Sequence, residues 1–280
     1  KICQTAFTAN EFGVLVMSSG GIAYYYFDGS MVGLLNCVFR AFQFKEFQVQ
    51  LCLVEGTQQG LFSTLIEIPN HESHAQRVWS ALQAKLSAGS LRQFYFAYLS
   101  ESLDAYQHLF NYCLYVFSQQ HSVEKDYLHP SVLAISQWAK KVGREKHRME
   151  AFIRFKKTED QLFLSLICPD FNVLPLIQPH FKRRYQDQRW LIYDEKRQFG
   201  LYYDLHEIHE VSLQAHEIDR NLSRGSSQSF QVQLAENEVL YDQLWKDYFH
   251  SINIKERKNI KLHVQYLPKR YWRYLNEKVV

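Results

Sequence analysis

Residues 189–203, RWLIYDEKRQFGLYY, predict the central element of the fold. Two apolar and aromatic runs, 189–193 and 199–203, flank the polar residues 194–198. Runs of this length and composition are typical of strands, and a short polar connection joins antiparallel neighbours. We therefore predict a β-hairpin, which residues 206–213 can extend by another strand.

The residues on either side of this hairpin add further strands and helices. The apolar segments 151–155 and 162–167 flank the polar residues 156–161, so we expect a second hairpin there. Residues 173–185 are expected to form a helix despite their two prolines. Three more elements follow the sheet, and they are a mobile loop over 221–229, a helix over 236–249 and a final helix from Pro268.

The first half of the chain is predicted to be mainly helical. Strands are expected at 22–27 and 50–55, and Ser30 is placed to cap a helix whose apolar stripe is Val32, Leu35, Val38, Phe39 and Phe42. Further helices are predicted over 75–86, 103–117 and 131–141. The expected class is α+β. It comprises a peripheral segment 1–21, a mainly helical half 22–139 and an α+β half 140–280, as two domains or one compact unit.

Composition indicates a folded protein, and charge is distributed unevenly along its chain. The 280 residues are 46% hydrophobic and 22% charged, which excludes a disordered or collagenous chain. Residues 1–139 carry 7 Lys/Arg and 10 Asp/Glu, whereas residues 140–280 carry 25 and 19. An acidic half joined to a basic half favours an anionic partner for the second half.

The cysteines and the hydropathy pattern bear on the compartment. Five cysteines, an odd number without C-x-x-C spacing, are typical of reduced thiols. No apolar run approaches the roughly 20 residues that span a bilayer, and the N-terminus lacks a secretory pattern. We therefore predict a cytoplasmic protein that does not engage a membrane.

The densest basic stretch is residues 140–157, KKVGREKHRMEAFIRFKK, with eight Lys/Arg and two Glu. Side chains alternate along a strand. Four side chains are therefore expected to share one strand face: Arg148, Glu150, Phe152 and Arg154. Guanidinium groups beside an aromatic ring suit phosphate binding. The alternative is a salt-bridged sheet face on which Glu150 neutralises one of the two arginines.

A second basic cluster lies near the C-terminus, where residues 246–278 hold nine Lys/Arg and three Asp/Glu. Basic residues interleaved with Tyr and Trp suit neutralisation of a nucleic-acid backbone, with a base stacked on Tyr271 or Trp272. The alternative is an amphipathic helix with a solvated charged face, in which Trp272 packs inward.

Residues 169–194 set short polar side chains among large apolar ones, and such groups can supply a general base or bind a nucleotide. The candidates for catalysis in and near this segment are His147, Asp170, Asn172, His180 and Asp187. The structural alternative is that Asp170 or Asn172 caps the following helix and that His180 belongs to the core.

Signatures of the common enzyme classes are missing from the sequence. It has no P-loop, no G-x-G-x-x-G, no G-x-S-x-G and no kinase motif set. His206 and His209, followed by Glu210, do not form a zinc signature, because imidazoles at this spacing on a strand point to opposite faces. We expect neither a metal nor another cofactor.

Four segments together resemble the bacterial "probable DNA metabolism protein" family: 26–39 (YFDGSMVGLLNCVF), 141–155 (KVGREKHRMEAFIRF), 169–194 and 245–275. The patterns RE-x-HRM and ERKN…P-x-RYW-x-YL carry most of the specificity, and the likeness extends from about residue 22 to the end. The resemblance implies a role in DNA repair or modification with a radical-SAM partner protein and a uracil-DNA glycosylase domain. Because that domain is fused after this one in some relatives and is not in these residues, base excision is not implied for them. The positions that match the family pattern are Arg144, His147, Arg148, Arg154, Asp170, Asn172, His180, Arg184, Asp187, Gln188, Arg257, Asn259, Arg270 and Trp272.

These observations favour a DNA-binding accessory protein for repair that holds single-stranded or distorted DNA on its basic half. The first half would dock a partner such as the radical-SAM protein. The residues expected to contact nucleic acid are Arg144, Arg148, Arg154, Arg184, Lys255, Arg257, Lys258, Lys269, Arg270, Arg273 and Trp272. Two alternatives stay open: a DNA- or nucleotide-processing enzyme with a His/Asp/Asn/Arg centre, and a protein-interaction module without DNA affinity.

Overall fold

The computed structural model describes residues 22–53, 65–158, 161–212 and 269–275. Contacts divide the chain into two units, residues 1–79 and 80–280. One helix, Pro130–Phe152, passes without a break through residues 139 and 140, where the sequence places the boundary between the halves. The predicted segment 1–21 lies outside the described residues.

The first unit contains a three-stranded parallel sheet with β1 in the centre. Its strands are β1 (Ala23–Phe27), β2 (Val49–Leu53) and β3 (Leu65–Glu67), and its helices are α1 (Met31–Phe44) and the start of α2 (Glu72–Lys85). The predicted strands at 22–27 and 50–55 are confirmed. Their parallel pairing is a finding of the structure, because it depends on the path of the chain between them.

Helix α1 begins as the sequence predicts. The Ser30 side chain accepts a hydrogen bond from the Gly33 N–H at 2.9 Å and so caps the helix. Leu35 and Val38 of the predicted apolar stripe are buried. Phe42 is 40% exposed, because the buried face of the helix ends at Ala41.

Three helices of the second unit pack against one another: α3 (Ala88–Tyr98), α4 (Leu103–Ser118) and α5 (Pro130–Phe152). The sequence predicts α4 and the first part of α5 but no helix at α3. Gly89 and Ser90 have low helix propensity, which hides the pattern. Contacts with α4 and α5, together with the Ser87 cap, stabilise α3 in the folded protein.

The second unit also holds a five-stranded, mostly antiparallel sheet in the order β4-β5-β6-β7-β8. Its strands are β4 (Lys156–Lys157), β5 (Phe163–Ile167), β6 (Trp190–Asp194), β7 (Phe199–Tyr203) and β8 (Ile208–Val211). The predicted hairpin is confirmed as β6 and β7, and β8 extends it. β5 and β6 are parallel and are joined by α6 (Leu174–Arg184). The α+β class is confirmed.

The strand predicted at 151–155 is wrong, because α5 continues to Phe152. Ile135, Ala139, Val142 and Met149 are buried at helical spacing, so the apolar residues that follow extend the same buried face. Residues 148 and 150 therefore lie on a helix and do not share a strand face with Arg154. No helix among the described residues is long and apolar enough to cross a membrane.

The core of the second unit joins the sheet to the helices and to the C-terminal residues. Trp190 is fully buried, and its ring lies against those of Phe181 and Tyr203. The final predicted helix is a 3-10 helix over Lys269–Tyr274. Tyr271 and Leu275 are buried in the same core. The helix predicted over 236–249 and the loop over 221–229 lie outside the described residues.

Candidate nucleic-acid interface

The exposed side of α5 carries a row of basic side chains, which we call the α5 stripe: Lys140, Lys141, Arg144, His147 and Arg148. The first four are exposed and Arg148 is half-buried. Neighbours three and four residues apart lie on one side of a helix, so the row is continuous. The apolar side chains of the same helix, Ala139, Val142 and Met149, are buried.

Few acidic side chains neutralise the α5 stripe. Arg148 lies 3.7 Å from the buried Glu145, and the Lys141 ammonium stands 3.8 Å from the centre of the Trp138 ring. Among the described residues, no ion pair involves Lys140 or Arg144. Glu150, which the sequence offered as a counter-ion for Arg148 or Arg154, instead accepts a hydrogen bond from Lys146 at 2.5 Å. The stripe therefore presents cations to solvent.

Glu145 connects three separate segments of the chain. Its side chain is 1% exposed, and Oε1 accepts hydrogen bonds from the Asp170 N–H at 3.0 Å and from the Tyr271 hydroxyl. The α5 helix, the loop between β5 and α6, and the 3-10 helix thus meet at one carboxylate. The sequence analysis missed Glu145 and this bond of Tyr271. The available signal was the position of Glu145, three residues after Val142 and four before Met149, on the buried side of α5.

A small cavity lies between the end of α5 and Tyr271. Its volume is about 10 Å³, and it is lined by Met149, Phe152, Ile153, Ile167 and Tyr271. That volume is about enough for one water molecule. This cavity is therefore too small to enclose a ligand larger than water.

The other predicted cations have diverse surroundings. Arg154 donates hydrogen bonds to the carbonyls of Ala151 at 2.8 Å and Ile153 at 3.3 Å, so it satisfies the C-terminal end of α5. Arg184 is exposed at the end of α6 and lies over the Tyr185 ring. Lys269 is exposed on the 3-10 helix, which also includes residues 270 and 273. Lys255, Arg257 and Lys258 lie outside the described residues.

The two aromatic candidates for base stacking differ in exposure. Tyr271 is 1% exposed and its hydroxyl is bonded to Glu145, so the suggestion that it stacks a base is wrong. Trp272 is half-buried and packs against the core, with the Lys269 ammonium 5.9 Å from the centre of its ring. Its part in nucleic-acid binding stays a prediction.

The five catalytic candidates are spread over four segments of the chain. His147 is exposed on α5, and Asp187 is exposed after α6. The His180 Nδ1 lies 3.9 Å from the Glu150 Oε1, so this imidazole sits between α6 and α5. Asp170 and Asn172 stand in the loop before α6, where their N–H groups donate to Glu145 and to the Leu99 carbonyl. A catalytic centre built from these residues stays a prediction.

The capping role suggested for Asp170 or Asn172 is wrong. The residue that caps α6 is Val173, which makes no side-chain hydrogen bond to the helix. The loop is instead held by side chains that follow β6. Its Asp170 carbonyl accepts hydrogen bonds from Lys196 and Arg197, both at 3.0 Å.

A buried ion pair that the sequence analysis missed fixes the end of β6. Asp194 is fully buried, and its Oδ2 accepts a hydrogen bond from Arg197 at 2.8 Å. Arg197 also pairs with Glu101 at 2.7 Å and donates to the Pro169 carbonyl at 3.2 Å. Because its side chain is 8% exposed and its guanidinium bonds Asp194, Glu101 and the Pro169 carbonyl, we assign this arginine to structure rather than to ligand binding.

In the first unit, a polar cluster stands at the carboxyl end of the parallel sheet. The Asp28 carboxylate accepts hydrogen bonds from the Ser30 hydroxyl and the Asn70 amide, both at 2.7 Å. Gly33 allows this close packing, since a Cβ at that position would lie 2.4 Å from the Asp28 Oδ1. The cluster stabilises the start of α1.

Side chains that could ligate a metal are dispersed where the structure describes them. No group of three His, Cys, Asp or Glu side chains is placed to hold a metal ion within those residues. The His209 Nε2 lies 2.9 Å from the Asp204 Oδ2, so one histidine of the pair His206 and His209 is already bonded to a carboxylate. The four described cysteines, Cys37, Cys52, Cys113 and Cys168, are free thiols, and burial raises the pKa of Cys37 and Cys113.

Comparison with protein families identifies the domain that carries this surface. A family model described as a domain of unknown function, DUF4130, matches residues 104–277, and the chain belongs to this family. The matched region begins in α4 and includes the α5 stripe, Glu145 and the 3-10 helix. Neither the curated proteins nor the solved structures yielded a significant match.

Proposed function

We propose that this protein binds DNA, single-stranded or distorted, through the α5 stripe and acts as an accessory protein in DNA repair or modification. The observation that carries the proposal is the row of exposed cations on α5 with few acidic partners. Cations already neutralised by carboxylates gain little from phosphates, whereas uncompensated ones release counter-ions from DNA when they bind.

The dimensions of the stripe suit a nucleic-acid backbone. Lys140 and Arg148 are eight residues apart, which is about 12 Å along an α-helix. Arg144 lies midway, so the cations are spread over several phosphates of an extended strand. Arginine is the side chain best suited to a phosphate, because its planar fork can donate two hydrogen bonds at once.

The proposed partners follow from the resemblance described above. We include a radical-SAM protein and a uracil-DNA glycosylase domain, which would carry out the chemistry while this chain holds the DNA. The five catalytic candidates would gain a role only if the partner's substrate reached α5 and α6.

Fluorescence anisotropy with a labelled single-stranded oligonucleotide tests the proposal. For four cations contacting phosphates, the logarithm of affinity should fall with the logarithm of salt at a slope of about −2.8. The double variant Lys140→Gln/Arg144→Gln should bind at least tenfold more weakly at low salt and show a slope shallower by about 1.4.

A matched control separates a local surface from net charge. Lys85→Gln/Lys125→Gln removes two exposed lysines from the same unit that do not belong to the stripe, and the Lys85 ammonium lies at the end of α4, where it bonds the Val116 and Gln119 carbonyls. We expect it to bind like the wild type. Equal weakening by both double variants, or wild-type affinity that does not change with salt, would overturn the proposal.

A second function, docking of a protein partner, is favoured by a patch of exposed apolar side chains at the start of α5. Leu128 is 96% exposed, Tyr127 48% and Leu133 42%. Exposed aromatic and aliphatic groups of this kind are common where proteins bind one another. Leu128→Lys should weaken binding of the purified radical-SAM protein while leaving DNA affinity unchanged. The opposite pattern would remove this patch from the partner interface.

A further inference from the structure

We infer that Glu145 and Tyr271 are positioning residues that join the α5 stripe and the 3-10 helix Lys269–Tyr274 into one phosphate-binding surface. This inference rests on the proposed function, because it specifies how the DNA-binding surface is assembled. Two basic clusters that are more than 100 residues apart in the sequence would then contact the same nucleic acid.

The contacts place the two clusters on either side of one carboxylate. The Glu145 Oε1 binds the Tyr271 hydroxyl, and its Oε2 lies 3.7 Å from the Arg148 guanidinium. Arg148 belongs to the stripe, and Tyr271 belongs to a six-residue helix with the sequence KRYWRY, which carries three cations. A single carboxylate therefore lies between an arginine of one cluster and the Tyr271 hydroxyl of the other.

Burial explains why this link can hold the segment. Glu145 and Tyr271 are each 1% exposed, and the Tyr271 ring lies 6.3 Å from that of Phe152. Leu275, just after the helix, is fully buried in the same core. A buried carboxylate without its hydrogen bonds is costly, so the Tyr271 hydroxyl favours the docked segment strongly.

The charge of Glu145 has a second, opposing consequence. Its carboxylate is the acidic group nearest to Arg148 among the described ion pairs, and it offsets part of the positive charge of the stripe. Glu145 therefore has two effects: it docks the 3-10 helix, and it reduces the attraction of Arg148 for phosphate. These two effects can be separated by substitution, because they depend on different properties of the side chain.

The test compares Tyr271→Phe with Glu145→Gln by anisotropy over a range of salt. Tyr271→Phe removes the hydroxyl that docks the segment, so its three cations no longer contribute. The salt slope on single-stranded DNA should then change from about −4.9, for seven cations in the joined surface, to about −2.8, for the four of the stripe alone. Glu145→Gln keeps an oxygen acceptor for Tyr271 and Asp170 and removes the negative charge beside Arg148. Its DNA affinity at low salt should rise by about 2- to 5-fold.

A double-mutant cycle measures the coupling between Tyr271 and the three cations in DNA affinity, and general destabilisation of the fold would not produce this coupling. Lys269→Gln/Arg270→Gln/Arg273→Gln should weaken DNA binding in the wild type but have little further effect in Tyr271→Phe. Tyr115→Phe is the matched control, because it also removes a hydroxyl bonded to a carboxylate, that of Asp126 at 2.6 Å. We expect Tyr115→Phe to retain the wild-type salt slope.

The outcomes distinguish this inference from the proposed function. If the wild type does not bind DNA, the proposed function fails. If the wild type binds through the stripe but folded Tyr271→Phe keeps the wild-type slope, only the inference fails. A decrease in affinity for Glu145→Gln equal to that of Tyr271→Phe would also overturn it, since Glu145 would then have no electrostatic effect on Arg148.

Discussion

Asp28 and Asp194 occupy corresponding places in the two units, and they are stabilised in different ways. Asp28 directly follows β1, and Asp194 is the last residue of β6. Each accepts a hydrogen bond at 2.9 Å from the N–H two residues further on. Asp28 is exposed and is held by uncharged groups of Ser30 and Asn70, whereas Asp194 is fully buried and is held by Arg197.

The difference in burial sets the ionisation of the two carboxyl groups. Burial acts to raise the pKa of Asp28, but hydrogen bonds from Ser30 and Asn70 outweigh it and lower the pKa. At Asp194 burial dominates and raises the pKa, although Arg197 acts in the opposite direction. An aspartate at the end of a strand needs only neutral donors at the surface, but it needs a cation in the core.

The largest expected effect comes from removing that cation. Arg197→Ala leaves the fully buried Asp194 without its partner, and we expect a loss of about 3–5 kcal/mol in the free energy of unfolding at pH 7. Urea denaturation measures it. Arg183→Ala is the control, because this exposed arginine bonds the Pro179 carbonyl and should cost under about 0.5 kcal/mol.

The same variant has a defined pH dependence. A raised pKa means that folded Asp194 binds a proton more readily than the unfolded chain does, so protonation favours the fold as the pH falls. Without Arg197 this preference increases. The loss caused by Arg197→Ala should therefore shrink at acidic pH, and a loss that is equal at pH 7 and pH 5 would contradict the role assigned to Asp194.

An intermediate effect is expected for Gly33→Ala in the first unit. The new Cβ would lie 2.4 Å from the Asp28 Oδ1 and 3.2 Å from the Asn70 Oδ1, so the cluster must move. Overpacking of this kind costs about 1–3 kcal/mol, while alanine in a helix gains about 1 kcal/mol over glycine. We therefore expect a net loss of stability, measured as a lower melting temperature in thermal denaturation.

A second substitution shows whether Asp28 causes that loss. In an Asp28→Ala background, the obstructing carboxylate is gone and Gly33→Ala should stabilise the protein. If Gly33→Ala destabilises both backgrounds equally, the close packing of Asp28 on α1 does not determine the cost.

The smallest effect is expected for loss of the helix caps. Ser30→Ala should lower the free energy of unfolding by about 1 kcal/mol, because it removes an N-terminal cap that accepts from Gly33 at 2.9 Å. Ser87→Ala, in the second unit, removes a longer bond of 3.3 Å to the Ser90 N–H and should cost less. Chemical denaturation of both variants compares them directly, and a larger loss for Ser87→Ala would reverse this ranking.

The parts of the fold that depend on local pattern were predictable. The β6–β7 hairpin follows from two apolar runs around a polar connection, and α1 follows from Ser30 and a helical stripe. The run at 151–155 misled the prediction because a short apolar segment suits a strand or the end of a helix equally. Met149 and Ile153 pack into the core, and this packing favours the helical conformation.

The candidate site was predictable in composition but not in geometry. The basic residues of 140–148 are evident in the sequence, whereas their arrangement as a stripe required α5 to extend to Phe152. Arg154 carries the same charge as Arg144, yet it bonds to carbonyls at the end of the helix. Glu145 was missed because a buried glutamate has no local signature beyond its place in the helical period.

The sequence by itself determined the α+β class, the division into an acidic and a basic half, and the residues that can bind phosphate. These properties depend on composition and on spacing over a few residues. Only the tertiary structure decided which charges are neutralised and which remain exposed. The physical reason is that ion pairing and burial depend on distances in space, and Glu145 meets the Tyr271 hydroxyl across 126 positions of sequence.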